Sequence, residues 1–188
     1  MPYIHIPENL VSFWKRKLDE ILPPAKRRIG IVWQGNPDHQ ADMFRSFPLD
    51  SLETLCQLQD VQLISLQFGR GSQQIQQWTG SLPIHTLPPD IDQSSGAFMD
   101  TAAILHHLDW IVTSDTSMAH LAGALDRPTL ILLGFTPDWR WLLDREDSPW
   151  YPTAKLVRQK TIGQWRSVGQ QAADILENEF NKPPSNNA

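Results

Sequence analysis

The hydrophobic positions of this chain change their period along its length, and each change marks an element. Leu10, Trp14, Leu18 and Ile21 recur at helical spacing, with Lys15, Arg16, Lys17 and Asp19 largely opposite. This predicts an amphipathic helix over Glu8–Ile21, preceded by an extended Met1–Pro7 and stopped by Pro23-Pro24. Arg28–Trp33 is a short apolar run, read as a strand buried on both faces. The polar stretch Gln34–Phe47 is a loop. Pro48–Leu58 reads as a helix carrying Leu49, Leu52, Leu55 and Cys56. Val61–Leu66 is a second strand, Phe68–Gly71 a turn and Ser72–Trp78 a short helix. Ile84–Leu87 is a weak third strand, Pro88–Ser95 a loop and Phe98–Leu108 a helix.

The next stretch, Asp109–Gly134, is the one around which the chain is organised. Trp110–Thr113 is a β-branched run, so a buried strand. Asp115–Leu125 is a helix with Asp115 or Thr116 as its N-cap. Asp126-Arg127-Pro128 ends it, and Thr129–Leu133 is another buried strand. Thr136–Pro152 is an aromatic and charged loop with at most one helical turn. Lys155–Arg158 is a sixth strand and Gln164–Phe180 a closing helix with a stripe of Trp165, Val168, Ala172, Ile175 and Leu176. Asn181–Ala188 reads as a frayed tail.

Six strands alternating with helices predict an α/β fold: a three-layer, Rossmann-like domain with a mainly parallel six-stranded sheet. The expected domain division is a linker and leading helix over 1–27, the Rossmann-like domain over 28–180 and a disordered tail over 181–188. For six strands the common order is 3-2-1-4-5-6, which makes strands one and four neighbours at the topological switch point. The loop after strand one and the joint Ser114–Ser117 then border one crevice. Unpaired amides and the positive end of a helix dipole at that joint favour an anion such as a phosphate.

Composition narrows the choice. With 188 residues, one full domain fits. A net charge of −5 and no basic run longer than Lys26-Arg27-Arg28 disfavour general nucleic-acid binding. The single cysteine, Cys56, excludes an internal disulfide and fits a reducing, cytoplasmic setting. The N-terminus lacks the basic and apolar regions of a signal peptide, and no apolar run approaches the length of a membrane helix.

Several side chains carry possible chemistry. Arg45 could pair fork-like with a diphosphate, or be an ordinary surface arginine. Asp38, His39 and Asp42 share its loop, but a loop gives no fixed metal geometry, and no metal is expected. Asp90-Ile91-Asp92 spells a carboxylate pair of the kind that holds a divalent metal on a nucleotide sugar, or a solvated loop. Gly69-Arg70-Gly71 is too short for a dinucleotide fingerprint. Asp115, Ser117 and His120 lie on one helix start without a G-x-S-x-G elbow, so they are no hydrolase triad. Trp139, Trp141, Trp150 and Tyr151 could stack on a base or sugar, or form a packed flap in which Arg140 and Arg145 pair with nearby acids.

The stretch SDTSMAHLAGALDRPTLILLG closely resembles the nucleotide-sugar-binding segment of glycosyltransferase family 9, the ADP-heptose:lipopolysaccharide heptosyltransferase group, in particular variants fused to tetratricopeptide repeats. IGIVWQGNPDHQADMFRSFPL, FMDTAAILHHLDWIVTSD and PDWRWLLDREDSPWYP resemble it as well, in the same order. The resemblance implies one half of a GT-B architecture: the carboxy-terminal domain that binds the donor. It implies that Asp115, Thr116, Ser117, Met118 and His120 lie at a nucleoside diphosphate sugar, together with Gln34, Gly35 and Arg45, and that no other cofactor is needed. Ser117 stands where glycine is frequent, and Arg70 stands near the place of an acidic residue after strand two. In that family the acceptor's general base comes from an amino-terminal domain, so Met1–Ile21 would be the linker leading out of it. The expected partners are therefore the nucleotide sugar and an amino-terminal half or a second copy of the chain. Alone, the domain is expected to bind donor without transferring sugar; the alternative is a non-catalytic nucleotide- or protein-binding module.

Overall fold

The computed structural model describes residues 2–25 and 27–182. In chain order it contains α1 (Glu8–Ile21), β1 (Arg27–Val32), α2 (Asp42–Arg45), β2 (Val61–Ser65), β3 (Ile84–His85), α3 (Met99–Leu105), β4 (Trp110–Ser114), α4 (Ser117–Ala124), β5 (Thr129–Leu133), β6 (Ala154–Arg158) and α5 (Trp165–Phe180). Three 3-10 helices, Leu49–Gln57, Ser72–Gln77 and Trp139–Trp141, complete it. All six strands pair in parallel in the order β3-β2-β1-β4-β5-β6, as the alternation predicts.

The period-2 alternation of the strands explains the layers. Ile29, Ile31, Leu63, Val112, Leu130 and Leu132 point to one face, where they meet the Leu49–Gln57 helix and α5. Val32, Ile64 and Ile111 point to the other, where they meet α1, α3 and α4. The central strands β1, β2, β4 and β5 are thus apolar on both sides, as a covered parallel sheet requires. At the β5–β6 end of that second face, Ile131, Leu133 and Leu156 pack on Ala119 and the fully buried Trp141.

Some boundaries differ from the expected ones for physical reasons. Leu49, Leu52, Leu55 and Leu58 are buried at strict three-residue spacing. A 3-10 helix, with three residues per turn, brings such a row onto one face, so this segment winds more tightly than an α-helix. It lies close to α5, because a Cβ on Gly169 would fall 1.8 Å from the Ser51 carbonyl oxygen. β3 keeps only two residues, and Leu87 turns away to pack under the α1 side. The expected tail falls almost wholly on residues 183–188, which lie outside the described residues.

Asp92 belongs to the scaffold and not to a metal pair. Its carboxylate accepts from the amides of Asp100 and Thr101 at 2.7 and 3.1 Å, and from the Thr101 hydroxyl. Asp100 in turn accepts from the Asp92 amide at 2.8 Å, from Trp14 Nε1 at 2.7 Å and from Ser95. Asp92 thus caps the first turn of α3, and Asp100 fastens that turn to the Asp92 loop and to α1.

Candidate functional site

β4 delivers the chain to the carboxyl edge of the sheet, and α4 starts three residues beyond Ser114. Thr116 occupies the N-cap position with extended backbone (φ −137°, ψ −179°), but its hydroxyl does not cap the helix. The hydroxyl turns back to the Ser114 carbonyl instead, at 3.4 Å. The amides of residues 116–118 consequently have no acceptor among the described residues; Ala119 is the first to find one, the Thr116 carbonyl. Three free N–H groups and the helix dipole converge on one point. The Asp115 side chain beside them is buried and accepts no hydrogen bond from the described residues.

The opposite wall is the loop after β1, and tertiary contacts hold it. The buried Gln67 side chain satisfies its whole amide there. Its Oε1 accepts from the amides of Trp33 (3.2 Å) and Gln34 (3.0 Å), and its Nε2 donates to the carbonyls of Gln34 (3.0 Å) and Arg70 (2.9 Å). A single side chain two residues past the end of β2 thereby staples two loops. Farther on, the Ser46 hydroxyl donates to Asp42 at 2.8 Å and accepts from the Gly35 amide at 2.9 Å. Asp42, buried, holds Arg45 Nε at 3.4 Å. The two Nη nitrogens of Arg45 take no acceptor among the described residues and face the crevice. A Cβ on Gly35 would lie 2.6 Å from Asp42 Oδ1, and one on Gly134 would lie 2.1 Å from the Phe44 carbonyl oxygen. Both glycines therefore permit a close approach that aims Arg45 at the start of α4.

The third side is the segment after β5. Trp141 is fully buried and stacks on His120, with centroids 5.3 Å apart and planes 17° from parallel. Tyr151 packs over Gly123, where a Cβ would meet its ring at 2.3 Å, and its hydroxyl lies 3.0 Å from His120 Nδ1. Burial holds the His120 pKa below the ordinary histidine value, with Asp115 opposing and Arg140 assisting. The flap is split in character. Trp141 and Tyr151 are packing residues, whereas Trp139 is 71% exposed, with the Arg140 guanidinium over its ring. Arg140 pairs with Asp138 at 2.8 Å, and Arg145 pairs with Asp147.

The walls enclose two clefts that meet at the α4 start. One, of about 530 Å³, is lined by His39, Phe44, Arg45, Asp115, Thr116, Ser117, His120, Thr136, Asp138 and Arg140. The other, of about 520 Å³, lies toward β2 and includes Gln34, Gly35, Arg45, Phe68, Arg70, Thr116, Ser117 and Met118. Arg45, Thr116 and Ser117 border both. The structure therefore divides the expected site residues: Asp115 and His120 lie on one side, Gln34, Gly35 and Met118 on the other. The backbone amides of Gln34 and Gly35 are already occupied, by Gln67 and Ser46.

Asp38, His39 and Asp42 do not converge. Asp38 pairs with Arg70 at 3.1 Å, His39 Nδ1 accepts from the Ala41 amide, and Asp42 serves Arg45 and Ser46. Trp33, just past β1, is fully buried with Nε1 donating to the Gly71 carbonyl. Sequence reasoning missed Gln67, whose role depends on contacts 33 and 34 positions away, and Gly134, whose neighbour is 90 positions away. No local pattern signals either.

An arrangement of free helix amides, a guanidinium with free Nη groups and a half-buried histidine suits an anionic ligand. Residues 97–174 match the family model described as glycosyltransferase family 9 (heptosyltransferase). The chain is 25% identical over 167 residues to Protein FlbA of Caulobacter vibrioides, covering 88% of this chain and 27% of FlbA. Among solved structures, it is similar to E. coli ADP-heptose lps heptosyltransferase II, with a TM-score of 0.60, 14% identity and coverage of 94% of this chain and 54% of that one. The glycosyl transferase family 9 structure from Veillonella parvula gives a TM-score of 0.60 at 11% identity, covering 94% and 52%. E. coli heptosyltransferase WaaC, solved with ADP-2-deoxy-2-fluoro heptose, gives 0.55 at 15% identity, covering 90% and 47%. The chain thus spans about half the length of these heptosyltransferase structures and about a quarter of FlbA. Its fold is that of one half of the GT-B-like heptosyltransferases.

Proposed function

We propose that this chain is the donor-binding half of an inverting, metal-independent glycosyltransferase of family 9, and that its ligand is a nucleoside diphosphate sugar. The observation that carries this reading is the convergence of Arg45 and the free amides of residues 116–118 on one crevice at the β1/β4 switch point. A diphosphate seated there would touch both clefts, with the nucleoside extending into one and the sugar into the other. When the glycosidic bond breaks, negative charge develops on the leaving diphosphate. The helix amides and Arg45 are already aimed at that position, so they stabilise the charge without reorganising. The family-model match over 97–174 and the heptosyltransferase fold support the same reading.

Transfer requires a second wall that excludes water and supplies the acceptor's base. The loops at the carboxyl edge of the sheet expose Met43, Phe44, Phe135, Trp139 and Leu143. In this reading an amino-terminal glycosyltransferase half, or a second copy of the chain, covers them. The chain alone binds donor weakly and transfers no sugar. Association with tetratricopeptide repeats and a cytoplasmic location belong to the same proposal. The exposed rim also favours a second reading, a non-catalytic protein-binding module derived from this fold.

Calorimetric titration with ADP, UDP and GDP and their sugars separates the two. Binding of one of these, weakened in Arg45→Ala, supports the first reading. A folded protein with no affinity for any of them overturns it in favour of the second.

A further inference from the structure

We propose that Tyr151 is a positioning residue: its hydroxyl donates to His120 Nδ1, so that the neutral imidazole presents Nε2–H to an anionic group in the cleft. Three contacts fix the ring. Trp141 stacks on one face, the Tyr151 hydroxyl lies 3.0 Å from Nδ1, and α4 carries the Cα. Gly123, one turn along α4 from His120, is what lets the Tyr151 ring come close enough, because any Cβ there would meet it at 2.3 Å. With Nδ1 engaged, Nε2 is the polar atom left for the cleft that His120 lines beside Arg45 and Ser117, and it has no partner among the described residues.

The direction of the Tyr151–His120 bond follows from the surroundings. The groups acting on the two rings are Asp115, Asp138, Arg140 and the Tyr3 hydroxyl. Burial and Tyr3 push the Tyr151 pKa up to about 12, so the phenol keeps its proton throughout the working range. Burial also favours an uncharged His120. A neutral imidazole has one donor and one acceptor nitrogen, and whichever bond one makes decides the role of the other. A donating phenol at Nδ1 leaves Nε2 as the donor.

The identity of the anion rests on the diphosphate reading above; the geometry of the His120 ring does not. The test therefore has two arms. Nitrogen NMR of the full chain with labelled histidine, at about pH 8 where an ordinary histidine is neutral, reports the tautomer without any ligand. His120 is expected to show an unprotonated Nδ1 and a protonated Nε2, and Tyr151→Phe to shift both toward the averaged values of a free ring. In the second arm, ADP affinity is expected to fall roughly three- to tenfold in Tyr151→Phe. It should fall at least as far in His120→Ala, with no further loss in the double variant, because Tyr151 acts through His120. A protonated Nδ1 in the unaltered protein, or a full Tyr151→Phe loss that persists in the His120→Ala background, overturns the proposal. If the unaltered protein binds no nucleoside diphosphate, the ligand reading falls, and the tautomer measurement still decides the role of Tyr151.

Discussion

The two walls of the crevice are built in opposite ways. The wall from Thr113 to His120 is local: a strand end, an extended N-cap residue and a helix, all within eight residues. The facing wall, from Gln34 to Phe47, has only the four-residue α2 as regular structure. It keeps its shape because Gln67, Ser46, Asp42 and the close approach at Gly134 hold it. A local wall is robust and can be altered one group at a time. A wall held by distant contacts fails when any of those contacts fails, whether or not the changed residue touches ligand.

The largest expected effect follows from that difference. Gly134→Ala places a methyl group against a backbone oxygen, which no rotamer can relieve, so the loop or β5 must move. We expect a loss of about 3 kcal/mol in urea unfolding, near the upper end for overpacking, together with weakened ADP binding because Arg45 rides on that loop. An unchanged midpoint and affinity would mean that the loop yields freely and that the contrast between the walls is wrong.

Gln67→Leu comes next. It leaves the Trp33 and Gln34 amides without their acceptor and two carbonyls without their donor. Leaving such groups unpaired should cost about 2–3 kcal/mol of stability. Chemical denaturation checks this value, and hydrogen exchange should locate the loosening in residues 33–47 while α4 stays protected.

Arg45→Ala tests the charge itself. Its stability should be near that of the unaltered protein, because the residue is partly exposed and pairs with Asp42 through Nε alone. ADP affinity should fall by about 2 kcal/mol, the range for a hydrogen bond to a charged group. Calorimetry gives this directly, and the loss should shrink in high salt as the partly exposed charge is screened.

The smallest change sharpens the local wall. Ser117 is the first helical residue of α4, and the extended Thr116 before it suits a following proline. Ser117→Pro therefore removes one free amide while leaving the helix intact, whereas proline at Thr116 would clash with a φ of −137°. We expect about 1 kcal/mol weaker ADP binding and an unchanged circular dichroism spectrum. Full affinity in this variant would show that the Ser117 amide does not reach the ligand.

What the sequence by itself determined follows from short-range physics. β-branched and apolar runs bounded by proline and glycine placed all six strands, and their alternation with helices implied the parallel order that puts β1 beside β4. The Asp115–Ser117 joint was legible because strand, N-cap residue and helix are adjacent in the chain. The tertiary structure alone decided the rest. It wound the expected helix over Pro48–Leu58 as a 3-10 helix over Leu49–Gln57, because burying the whole row of leucines spaced three apart on one face against α5 outweighs the α-helical period. It split the expected site residues between two clefts, since Gln34, Gly35 and Met118 face the β2 side while Asp115 and His120 face the β5 side. It brought Gln67, Gly134 and Tyr151 against the walls of the crevice, onto partners 31 to 90 positions away. A buried amide must find partners and a backbone oxygen must find room, and both conditions are met across the sheet by residues that no local spacing connects.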